Sequence, residues 1–133
     1  MKYLLDTDIC IYIIKKKPQQ VLKKLVRQDI SNVGISAITL SELEYGVEKS
    51  LYKEQSKLAL AEFLGPLTIL PYDDNVAPAY GKIRAFLEKY GMTIGPLDLM
   101  IGAHALSTKA ILVTNNEREF GRIPGLTVEN WVK

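Results

Sequence analysis

One cysteine in 133 residues, Cys10, excludes an internal disulfide and any zinc site built from thiolates. It is most simply a small buried apolar group. One histidine, His104, has no second imidazole with which to complete a metal or base constellation. It sits among small and apolar residues and reads as a partly buried helix position. No apolar run approaches the ~20 residues that a membrane span needs. Met1 to Leu5 run straight into Asp6, leaving no room for the apolar stretch of a signal peptide, so a cytoplasmic protein without membrane association is expected. Repeats, low-complexity segments and linkers are also missing, which points to a single domain over residues 1–133.

Bulk charge is missing too. A net charge of +2 does not by itself announce a nucleic-acid binder. Its distribution says more, because Lys15, Lys16, Lys17, Lys23, Lys24 and Arg27 crowd one short stretch with Asp29 as the nearby acid. That stretch is either a solvated helix face or a patch that meets a phosphate backbone. What is present in quantity is apolar side chain, 47% against 24% charged, enough for a folded globular core.

Short apolar runs alternate with helical stretches. KYLLD (2–6), VGIS (33–36), LTIL (67–70) and ILVT (111–114) read as strands, and LTVENW near the end as a fifth. Helical patterns cover 9–14, 18–28, 37–49, 54–64, 73–90 (stopped by Gly91) and 96–108. This order predicts an α/β/α sandwich around a mainly parallel sheet of about five strands. Ligands of such sheets bind beyond the carboxyl ends of the strands, which singles out Asp6, Ser36 and the residues after Thr114.

The acids at these places carry the chemical interest. Asp6 ends a buried strand, where an ionised carboxylate needs a helix N-terminus or a cation as compensation. Asp8 shares that ambiguity, and Thr7 between them can donate to either carboxylate. In SAITLSELEYGVEKS, helical spacing puts Glu42 on a stripe with Ile38 and Tyr45, while Glu44 and Glu48 share their own; Glu42 is therefore the inward candidate. Asp98 follows Gly95-Pro96 as a helix cap or a ligand. TNNEREFGRIPG, with Asn116 and Glu119, reads on its own as a turn. Oxygen ligands without a His or Cys pair suit a hard cation such as Mg²⁺ or Mn²⁺, the usual choice for phosphoryl chemistry.

LLDTDI, SAITLSELEYGVEKS, IGPLDLMIGAHALS and LVTNNEREFGRIPGLTVENW, in this order and over nearly the whole chain, resemble the block pattern of VapC toxins. These are the PIN-domain ribonucleases of type II toxin–antitoxin pairs, and the last two blocks look most like the subgroup that cleaves initiator tRNA in its anticodon stem-loop. The resemblance implies a PIN fold and an Mg²⁺- or Mn²⁺-dependent endoribonuclease that leaves a 5′-phosphate and a 3′-hydroxyl. It places the metal-holding acids on Asp6, Asp98 and Glu42. Asn116 stands where many PIN domains carry an aspartate, with Glu119 as the acid that replaces its charge. Thr114 and Asn116 are implied to orient water or phosphate. Implied partners are an RNA substrate, a second copy in a homodimer, and a VapB-type antitoxin that covers the groove in a higher assembly.

Two other resemblances compete. Strand-Asp6-Thr7-Asp8 is similar to the nucleophile signature of haloacid-dehalogenase-type phosphatases, but Asp73-Asp74 fits their later acidic doublet poorly. A PIN fold that only binds RNA or a partner is the other, since Asn116 replaces an acid.

Overall fold

Along β1, Tyr3–Leu5, successive side chains enter two different cores. Tyr3 and Leu5 join Val33, Ile35 and Val113 on one face of the sheet, while Leu4 joins Leu112 on the other. A strand covered on both sides has no polar face, which is why these runs read as continuously apolar. The structure is a computed structural model describing Met1–Lys133. Around β1 lie β2 (Val33–Ser36), β3 (Thr68–Leu70), β4 (Ile111–Val113) and β5 (Val128–Glu129), in the order β3-β2-β1-β4-β5 with every neighbouring pair parallel. β2 and β3 approach closely at Gly34, where a Cβ would stand 2.8 Å from the Thr68 carbonyl oxygen.

The first core is closed by α1 (Thr7–Lys15), α2 (Gln19–Val26), α3 (Ala37–Glu48), α4 (Lys53–Leu64) and the buried Trp131. The second lies beneath α5 (Ala77–Lys89), α6 (Pro96–Thr108) and α7 (Glu117–Phe120). This is the expected α/β/α sandwich. No helix is long and apolar enough to cross a membrane.

Three expected elements differ in extent. The helix expected over 73–90 starts only at Ala77, because Asp73 Oδ1 accepts the Asn75 N–H and folds that segment as a turn. Its end is as expected, with Gly91 at φ 65°. The segment read as a plain turn after Thr114 contains a helical turn, α7, capped by the Asn116 side chain. The fifth strand is confined to Val128–Glu129.

The chain winds from β1 outward to β2 and β3, then crosses back to β4 on the other side of β1. The reversal leaves a crevice at the carboxyl ends of β1 and β4, paired through Leu5 and Val113.

Candidate active site

Asp6 occupies that crevice. It is 5% exposed, and its Oδ1 accepts the Ile9 N–H at 2.9 Å, so it does cap α1. Its other oxygen accepts a short hydrogen bond from the Thr114 hydroxyl at the end of β4. Both bonds favour the carboxylate. Burial outweighs them and, with Asp8 and Asp98 nearby, pushes the Asp6 pKa up to about 7. Cap and crevice group are thus one residue, and the two alternatives of the sequence do not exclude each other.

Asp98 reaches the same place from the first turn of α6. It is not the cap, because Gly95 occupies that position. Its pKa is raised to about 6, first by burial, then by Glu119, Glu42 and Asp8, and by a side-chain hydrogen bond with Glu119. Glu42 is half-buried on α3, whereas Glu44 and Glu48 are exposed, in keeping with its inward stripe; its stripe neighbour Tyr45 is 65% exposed. Thr7 donates to Glu42 Oε1 at 2.5 Å, so its hydroxyl serves neither Asp6 nor Asp8. Asp8 is exposed at the rim.

Asn116 and Glu119 belong together. The Asn116 backbone N–H donates to Thr114 Oγ1 at 2.9 Å, and Asn116 Nδ2 donates to Glu119 Oε2 at 2.5 Å. Thr114 thus joins the Asn116 arm to Asp6, and Glu119 joins it to Asp98. All five residues singled out in the sequence therefore meet at one edge of the sheet.

Their fit to a cation rests on the donor set: oxygen atoms only, with Asp6 and Asp98 raised first by burial and then by the neighbouring acids. A divalent ion would offset both the burial cost and the mutual repulsion of these carboxylates. The side chains are neighbours and not a finished cage, since no three His, Cys, Asp or Glu side chains are grouped as metal ligands.

A pair that the sequence did not disclose lies behind this edge. Ser36, the cap of α3, accepts the Ile38 N–H at 3.1 Å and meets Nδ1 of His104 at 2.7 Å. His104 is 1% exposed and edge-on to Tyr72, and burial lowers its pKa, which favours the neutral imidazole. The bond ties the helix bearing Asp98 to the strand–helix junction leading to Glu42. Ser36→Ala removes the cap and leaves Nδ1 without a partner; a loss of about 2–3 kcal/mol is expected in urea denaturation. A loss below about 1 kcal/mol would mean that the pair contributes little.

Two surface features adjoin the site. A groove of about 500 Å³ between α1, α3 and α4 has Ile11, Ile14, Leu43 and Val47 in its lining and Glu42, Lys15 and Lys49 at its polar positions. The basic stretch continues from the far end of α1, about 13 Å from Asp6 by helix rise, with Lys16, Lys17, Lys23 and Arg27 exposed.

The family described as PIN domain matches residues 3–126. The chain is 46% identical over 132 residues to ribonuclease VapC2 of Haemophilus influenzae, covering 99% of each. It is 44% identical over 131 residues to the tRNA(fMet)-specific endonuclease VapC of Salmonella typhimurium, covering 98% of each. Among solved structures, it is similar to a chain in the crystal structure of DNA-bound VapBC from Salmonella typhimurium, at TM-score 0.93 and 44% identity, covering 98% of each. The phosphatase resemblance is thereby set aside. A fold whose crevice gathers these acids, together with relatives this similar over this length, places the chain in the PIN-domain family, among the VapC ribonucleases.

Proposed function

We propose that this ribonuclease is a single-domain toxin that cuts tRNA, initiator tRNA in its anticodon stem-loop, with Mg²⁺ or Mn²⁺ held by Asp6, Asp98 and Glu42. The carrying observation is the convergence of four carboxyls from four elements at one edge, two of them raised to about 7 and about 6. The relative named as specific for tRNA(fMet) supports the substrate. A divalent cation bound there supplies charge neutralisation on the scissile phosphate and acidifies the attacking water.

The chain's own residues supply the geometry. Thr114 and the Ile9 N–H fix both oxygens of Asp6. Thr7 fixes Glu42. Glu119 supplies the fourth carboxyl, and Asn116 holds it by its amide instead of acting as a ligand. Water attacks phosphorus in line, the bond to the 3′ oxygen breaks, and that oxygen takes a proton.

The groove beside Glu42 receives a segment of a VapB-type antitoxin: its apolar floor suits aliphatic side chains, and Glu42 at its edge suits a basic one. Solved relatives in VapBC complexes support that pairing. Two copies of the chain form the RNA-binding unit, with Lys15 to Arg27 contacting phosphates in the cytoplasm.

The test incubates antitoxin-free protein with total bacterial tRNA in Mg²⁺, in Mn²⁺ and in EDTA, beside Asp6→Ala. One discrete cut that requires metal and is absent from the variant is expected. Folded protein that cuts nothing with any divalent ion would favour a PIN domain that acts only by binding.

A further inference from the structure

We propose that Asn130 is a positioning residue for the arm of the active site that carries Asn116 and Glu119, an inference that rests on the metal-dependent nuclease reading above. α7 spans only Glu117–Phe120. A single helical turn fixes too few hydrogen bonds to hold its own shape, so outside contacts must place it. Asn130, in the chain segment after β5, provides them. Its Nδ2 donates to Asn115 Oδ1 and to Glu117 Oε2, both at 3.1 Å, which grips the residues on either side of Asn116. Its Oδ1 accepts the Val132 N–H at 2.9 Å, which fixes which end of the amide faces the loop.

The segment bearing Asn130 is itself anchored. Trp131 is buried, Gln20 Nε2 donates to the Val132 carbonyl oxygen at 2.8 Å, and Lys24 Nζ donates to that of Lys133 at 3.1 Å. From Asn130 the path into the site is continuous: Asn115 and Glu117 set Asn116, Asn116 holds Glu119 and Thr114, and these meet Asp98 and Asp6. Lys133 also reaches Glu117 at 2.7 Å, but that pair is 75% and 42% exposed and screened by solvent. The neutral, half-buried amide is the more determinate contact. Its hydrogen-bonding positions are taken by protein groups, so it acts through Asn116 and not on substrate.

The variant N130D keeps shape and the acceptor for Val132 but turns a donor into a carboxylate facing Glu117. A fall in kcat of about tenfold or more is expected, with KM for RNA within about threefold, as follows when catalytic groups are misplaced and binding is retained. Adding E117Q to N130D exchanges donor and acceptor and is expected to recover about fivefold or more of the loss; generic destabilisation would not be repaired in this way. In metal-free protein, NMR should show N130D moving the Asn116 side-chain amide and the Glu119 backbone amide while α5 resonances stay in place. Activity of N130D within about twofold of the parent, an unmoved Asn116 signal, or a double variant no better than the single would overturn the proposal. If the parent protein cuts no RNA, the nuclease reading fails, while the NMR signals still decide the positioning.

Discussion

Asp6→Asn is expected to lower RNA cleavage by about a thousandfold or more while making the metal-free protein more stable at pH 8, since losing a carboxylate proposed to hold the cation costs several kcal/mol of transition-state stabilisation. Burial raises the Asp6 pKa from 3.8 to about 7, so the folded protein keeps a proton that the unfolded chain releases near pH 4. For a raised acid, stability is undiminished below the unfolded pKa and falls as pH rises through the folded one. The metal-free parent therefore weakens between about pH 4 and pH 7, most steeply in the middle of that window, and levels off above it. Asparagine carries no charge to desolvate and still caps α1 through its Oδ1. After allowance for the weakened Thr114 contact, the variant is expected to gain about 2–3 kcal/mol at pH 8, or roughly 5–10 °C in Tm. At pH 4 the two proteins should melt together. Mn²⁺ should lift the parent at pH 8 and lift the variant much less. Thermal melts across pH, with EDTA or Mn²⁺, check each part; a variant no more stable than the parent at pH 8 would show that Asp6 bears no desolvation cost.

How far the sequence reached follows from which physics acts locally. β1, β2 and β4 were legible because strands covered on both faces must be apolar throughout, and VGIS or ILVT allow little else, while the exposed edge strand β3 still showed a short apolar run. α7 was not, since one turn of helix has no periodicity to display and depends on the Asn116 cap and on Asn130. The late start of α5 was hidden for a related reason: Asp73 competes for the backbone through its own side chain, and helical spacing cannot register that.

The candidate site was legible as positions more than as contacts. A strand end, a helical stripe and a helix start pointed to Asp6, Glu42 and Asp98 in turn, and the structure brings all three to one edge together with Asn116 and Glu119. Thr7 bonding to Glu42, 35 residues away, and Ser36 meeting His104, 68 residues away, are products of topology. No window of sequence contains both partners. His104 illustrates the point, since its apolar surroundings announced burial but not the serine that makes burial tolerable.

Trp131→Ala is expected to carry the largest stability loss among the changes considered. The indole is 2% exposed and meets Tyr3 edge-on at 5.4 Å between ring centroids. It closes the first core beside Ile9, Cys10 and Val21, all of them fully buried. Truncation removes the transfer energy of the ring and leaves a cavity that β1, held between β2 and β4, cannot relax to fill. A loss of about 3–5 kcal/mol follows, or roughly 10–20 °C in Tm for a chain of this size. Nε1 reaches only Glu129 at 3.1 Å, so the lost hydrogen bond adds little beside the lost packing. Urea denaturation measures the effect as a lower midpoint at unchanged slope. A shift worth less than about 1.5 kcal/mol would mean that the segment after β5 lies on a core already closed by α1 and α2 and does not complete it. The neighbour of Trp131 is Asn130, so the same packing that closes this core also seats the amide gripping the Asn116 loop.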